Sequence, residues 1–117
     1  MHKHDLIVVH IGIHSTSMLP TLRPEDIALV DRQDIDCSIL RRIMLVFDPD
    51  GAGMIKSVAL SPIRKAGGLQ DIRFTFYSDN VVLTPPMVYS LRDDYGSNWR
   101  KAIGGHVVLA WSNMDGR

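Results

Sequence analysis

The sequence predicts a mainly β domain, a compact and partly open barrel or sandwich with one or two short helices. Short runs rich in β-branched and aromatic residues recur along it, and turn signals separate them at roughly 8–12-residue spacing. Evidence for helices is thin by comparison. At 117 residues the chain reads as one domain, 1–117, able to bury a core without disulfide or metal staples.

The elements follow in order. Leu6 to Ile13 reads as a strand by its β-branched content. Ser17 to Leu22 has room for one helical turn, with Ser17 placed to cap it and Pro20 tolerated in a first turn. Ile27 to Val30 is a short apolar strand between Pro24-Glu25-Asp26 and Asp31-Arg32-Gln33-Asp34. Ile43 to Phe47 is another, stopped by the turn signal Asp48-Pro49-Asp50-Gly51-Ala52-Gly53. Met54 to Leu60 then returns, so 43–60 forms a hairpin with Lys56 on its second arm. Ile72 to Tyr77 alternates in the half-buried strand pattern, and Ser78-Asp79-Asn80 turns it. Val81-Val82-Leu83 runs into Pro85-Pro86, where a central ladder position is forbidden. Ser90 to Ala102 holds a short helix weakened by Gly96, and Ile103 to Trp111 is the closing strand.

Composition narrows the function classes. Thirteen basic residues balance thirteen acidic ones, whereas a free-standing nucleic-acid binder carries a basic surplus. Cys37 is the single cysteine, so no internal disulfide forms and a reducing cytoplasm fits. No apolar run approaches the roughly 20 residues a membrane helix needs, and the N-terminus lacks a signal-peptide layout. The expectation is a soluble, cytoplasmic domain.

Two residues carry the chemistry. Ser17 sits at a turn in Ser17-Met18-Leu19-Pro20-Thr21-Leu22, and Lys56 is a lone cation in the apolar strand Met54 to Leu60. A serine hydroxyl is a poor nucleophile until a base takes its proton. Lysine, with an ordinary pKa of about 10.4, is that base only when its charged form is destabilised by burial. Met54, Ile55, Val58 and Leu60 supply apolar neighbours. The backbone N–H groups of Thr16 and Ser17, with the Ser15 hydroxyl, are candidate oxyanion donors. Plainer roles stand beside these: Ser17 as a helix cap, and Lys56 as an outward charge guarding an edge strand.

Four blocks together resemble the LexA-type serine peptidases, the C-terminal domains of LexA, phage repressors and UmuD-like proteins. Ser17-Met18-Leu19-Pro20-Thr21-Leu22 with Pro24 to Asp31 is similar to the nucleophile segment. Gly53-Met54-Ile55-Lys56 resembles the turn leading into the catalytic lysine. Ser78-Asp79-Asn80 with Pro85-Pro86 resembles a third block, and Ile103-Gly104-Gly105-His106-Val107-Val108 the closing strand. Ser15-Thr16 replace the usual Gly-Asp, and Ser57 stands where an arginine commonly follows the lysine. Ser15-x-Ser17-Met18 is also similar to bacterial signal peptidases, whose extra serine helps hold the oxyanion, though those enzymes are membrane-anchored.

The resemblance implies a fold of the LexA C-terminal, signal-peptidase-like type that forms a homodimer and cleaves its own chain through a Ser17–Lys56 dyad. It implies a transcriptional regulator inactivated after DNA damage, with a RecA filament as partner and DNA bound through an upstream helix-turn-helix domain. Neither that domain nor a scissile Ala-Gly or Cys-Gly bond precedes Ser17. The chain is therefore expected to be the C-terminal part of a longer regulator. A catalytically silent dimerisation module and a signal-peptidase-like enzyme are the alternatives.

The remaining features point to no cofactor and no metal. His2, His4 and Asp5 cluster at the terminus, while His10, His14 and His106 read as satisfied polar residues. Ala52-Gly53 and Ala66-Gly67 are turn dipeptides. Cys37 reads as a small buried residue, and Trp99 and Trp111 as core or interface anchors. Val107 to Trp111 is a candidate dimer edge.

Overall fold

A computed structural model describes residues 5–10, 27–39, 42–78 and 85–111. Among them seven strands form one antiparallel sheet in the order β1-β2-β7-β3-β4-β5-β6. The strands are β1 (Leu6–His10), β2 (Ile27–Asp31), β3 (Ile43–Phe47), β4 (Gly53–Arg64), β5 (Gln70–Tyr77), β6 (Met87–Ser90) and β7 (Ile103–Trp111). Two short helices, α1 (Leu91–Tyr95) and α2 (Trp99–Ala102), lie between β6 and β7. Among the described residues the end strands β1 and β6 do not pair with each other, so the sheet is not a closed barrel, consistent with the partly open β architecture the sequence predicts.

Turn chemistry sets the connections. The Asp48 carboxylate accepts the backbone N–H groups of Asp50 and Ala52 at 2.9 and 3.0 Å, which closes the β3–β4 hairpin. The Ser90 hydroxyl accepts the Asp93 N–H at 3.0 Å and caps α1. Gly96, at φ +60°, ends α1 in the left-handed region that a glycine adopts without steric cost. This splits the single helix expected over 90–102 into two.

β4 spans 12 residues and changes partner along its length. Its first part, Gly53 to Ser57, pairs with β3, and Ser57 to Arg64 pairs with β5. Both faces of this region are covered, which is why β3 reads as a continuous apolar run instead of alternating. On one face Met44, Val46, Val58, Phe74 and Phe76 pack with Leu91, Tyr95 and Ala102 of the helices. Phe74 meets Tyr95 and Trp99 edge to face at 5.7 and 5.2 Å, so Trp99 is a core anchor. On the other face Val30, Leu45 and Ile55 gather Ile7, Val9 and Phe47.

Two details differ from the sequence reading. β7 lies between β2 and β3 in the strand order, and its ladder with β3 covers only Ile103 to His106, while Val107 to Trp111 pair with β2 alone among the described residues. β6 was not anticipated. It is only four residues long and follows a Pro-Pro pair, which suits an edge strand and hides the periodic signal. The expected helical turn at 17–22, the run 81–83 and the positions of His2, His4 and His14 fall outside the described residues.

The interior position of β7 demands glycine. A Cβ at Gly105 would stand 2.5 Å from the Asp31 carbonyl oxygen and 2.7 Å from Val30 Cγ1. Backbone cannot yield as a flexible side chain does, so Gly105→Ala is expected to cost about 1–3 kcal/mol by overpacking. Urea denaturation measures this, and an unchanged midpoint would show that β7 shifts freely against β2.

Candidate active site

The β-register brings Lys56 to a serine. Lys56 is opposite Met44 on β3. On its other side the last β4–β5 pair is Ser57 with Tyr77, and one step further along both strands places Lys56 opposite Ser78. The Nζ atom donates to Ser78 Oγ at 2.7 Å. Both residues are 3% exposed. Met54 and Val58 flank Lys56 on the same face of β4, since side chains two apart share a face, and both belong to the larger core cluster.

Burial pushes the Lys56 ammonium below its ordinary pKa, because the charged form loses its hydration in an apolar surrounding. Among the described residues no ion pair involves Lys56. An adjacent carboxylate would hold it charged, and a hydroxyl does not. The arrangement therefore shifts Lys56 towards the neutral amine, the direction a proton acceptor requires. Lys56 does not point outward from an edge: β4 has partners on both sides and the side chain is buried.

Ser17, Thr16 and Ser15 lie outside the described residues. Of the residues proposed for the site, the structure places Lys56 alone, and beside it Ser78, to which sequence reasoning assigned no role. A signal existed. The turn at Lys65 to Leu69 is the centre of the β4–β5 hairpin, and counting outward from it puts positions 56 and 78 opposite each other.

A second polar group lies in the same cross-strand row. His106 pairs with Met44 on one side and with Asp31 on the other. Arg42 Nη2 lies 2.9 Å from His106 Nδ1 and 2.5 Å from Asp34 Oδ2, and Arg42 Nη1 lies 2.9 Å from Asp34 Oδ1. Burial, then the Arg42 charge, lowers the His106 pKa, and because a guanidinium can only donate, Nδ1 is the acceptor in this contact. This fastens the segment carrying Cys37, which is 3% exposed with its thiol pushed up to about 11 by burial. Cys37 is thus an inert core residue.

A third network docks α1. Asp71 accepts from Ser90 Oγ, the Arg92 N–H and the Ile72 N–H, and Lys65 Nζ stands 3.3 Å away. Desolvation opposes ionisation there, yet these donors hold the carboxyl well below the usual range. Among the described residues no group of His, Cys, Asp and Glu has the arrangement of a metal site.

No protein-family model, no curated protein and no solved structure matches this chain.

The pair makes opposite stability predictions for its two members. Lys56→Met removes a desolvated cation and keeps an apolar chain, so the variant is expected to unfold at higher urea than wild type at pH 7. The folded pKa of Lys56 lies below its unfolded value of about 10.4. Between the two, the unfolded chain holds a proton that the folded chain has released, so wild-type stability rises with pH through that window. The difference between Lys56→Met and wild type should therefore shrink as pH is raised towards 10. Ser78→Ala instead strands the Nζ atom and is expected to cost about 1–3 kcal/mol. Equal midpoints for wild type and both variants would mean that the buried pair does not form.

Proposed function

We propose that this chain is a Ser–Lys peptidase domain of the LexA type, with Ser17 as nucleophile and Lys56 as general base. The observation that carries the reading is the Lys56 amine, buried, lowered in pKa and bonded to a hydroxyl instead of a carboxylate. In the step, Ser17 Oγ forms a bond to a peptide carbonyl carbon while its proton passes to the neutral Nζ. The Thr16 and Ser17 N–H groups, with the Ser15 hydroxyl, receive the developing oxyanion. The same proton then goes to the leaving amine nitrogen as the C–N bond breaks, and water later releases the acyl group by the reverse path. Ser78 holds the Lys56 amine in a single orientation throughout.

The four sequence blocks support placing this domain in a self-cleaving transcriptional regulator, acting as a cytoplasmic homodimer inactivated through RecA filaments after DNA damage. In that setting DNA contact belongs to an upstream helix-turn-helix domain. Among the described residues no helix is long and apolar enough to cross a membrane. One observation favours a second reading, a silent dimerisation module: Lys56 already has a hydroxyl partner in Ser78, which would satisfy it in a purely structural role.

Chemical labelling separates these readings. A fluorophosphonate probe is expected to attach to Ser17, as located by peptide mass spectrometry, and to fail on Ser17→Ala and Lys56→Ala. An adduct on Ser78 would make that serine the nucleophile, and no serine adduct at any pH would favour the silent module. In the full-length regulator, self-cleavage should rise with pH until Lys56 has titrated, with a midpoint below that of an ordinary lysine. Lys56→Ala should slow it by about 10²–10⁴-fold.

A further inference from the structure

The smaller core cluster is not fully closed. A cleft with a cavity volume of about 330 Å³ opens onto it between Ile7, Leu45 and Phe47, with Gly104 beside them and Arg32 and Arg100 also lining it. Gly104 keeps the cleft open, since a Cβ there would stand 2.8 Å from Leu45 Cδ2 and 2.9 Å from a Phe47 ring carbon. Both arginines are exposed. Arg100 donates through Nη1 to the Arg32 carbonyl oxygen, which links the two residues. Arg32 Nε lies 3.5 Å from Asp5 Oδ2, with both side chains about half exposed. Among the described residues Arg100 has no carboxylate partner. Two guanidinium groups against one carboxylate leave a positive rim around an apolar floor.

Size and charge together restrict the occupant. A cleft of this volume lies at the small end of ligand sites and takes about one large side chain. Arg32 and Arg100 both line the same small cleft, so the anion must sit within one residue's reach of the apolar group. Guanidinium forks match carboxylate geometry. We propose that this cleft binds a carboxylate carried directly on an apolar group, as at the C-terminal residue of a peptide ending in Phe or Leu. A small arylalkyl acid has the same chemistry. The site lies on the opposite sheet face from Lys56 and is independent of the peptidase reading.

The test is an NMR titration of the ¹⁵N-labelled chain at low ionic strength, where exposed charges are least screened. The probes are acetyl-Gly-Gly-Phe as free acid, the same peptide as C-terminal amide, and 3-phenylpropionate. The free acid is expected to shift the amides of Ile7 and Gly104 and the Arg100 Nε signal, saturating in the millimolar range or below. The amide should bind at least about tenfold more weakly, the loss of one charge-assisted contact. Arg32→Gln and Arg100→Gln should each weaken the acid about 3–10-fold while leaving the rest of the spectrum unchanged. Phenylpropionate binding as tightly as the peptide assigns the source to a small acid, and a need for the peptide assigns it to a chain terminus. Equal binding of acid and amide, shifts confined to other surfaces, or no saturable shift up to about 10 mM would overturn the proposal.

Discussion

The handover of β4 from one partner strand to another is the constraint on which the candidate site depends. Ser57 is the residue paired on both sides, with Ile43 on β3 and Tyr77 on β5. One residue earlier, Lys56 still has β3 beside it, while β5 has just left the ladder. A side chain at that step meets the first residue of the departing strand, and that residue is Ser78. The end of the ladder places the buried Lys56 amine beside Ser78.

Burial and hydrogen bonding then act in opposite directions on the same atom. An isolated ammonium in an apolar surrounding is expensive, and proteins relieve it by pairing it or by releasing the proton. A carboxylate partner gives the first outcome, as at Asp71, whose donors keep it ionised despite its buried position. At Lys56 the partner is a hydroxyl, which accepts from an ammonium and donates to a neutral amine with equal ease. It satisfies the nitrogen in either state without favouring the charge. Desolvation is left as the dominant influence, and its direction is the one that catalysis by a lysine base needs.

How far the sequence disclosed this depends on which signal each residue carried. β2, β3 and β5 were legible because their apolar runs are bounded by turn-forming residues, whereas β4 runs on past the expected Leu60, through Pro62, to Arg64. Gly96 was read only as a weak point in one helix over 90–102, whereas its left-handed conformation ends α1 there. The burial of Lys56 was legible from its neighbours, since Met54 and Val58 share its face of the strand. Its contact with Ser78 was not, because the pairing is set by the register of a hairpin centred some ten residues away. The interior place of β7 was hidden for a related reason: an apolar strand at the end of a chain looks the same whether it closes a sheet edge or is inserted between β2 and β3. Gly104 and Gly105 were its one local sign. Adjacent glycines in a strand mark places where other groups approach closely, here Asp31 on one side and Leu45 on the other.

The insertion of β7 also connects the two faces of the molecule. Along its row His106 looks towards the larger core, in register with Met44 and through it with Lys56. Gly104, two residues before, opens the smaller core to the cleft beside Arg32 and Arg100. A register slip of one residue in β7 would reverse both placements, putting an imidazole against Leu45 and removing the acceptor from Arg42. The bulges at Leu29/Val30 and Leu45/Val46 allow the strand to keep both neighbours in step despite its glycines. The late, apolar strand is thus less a cover for the sheet than the element that fixes which residues face Lys56 and which face away from it.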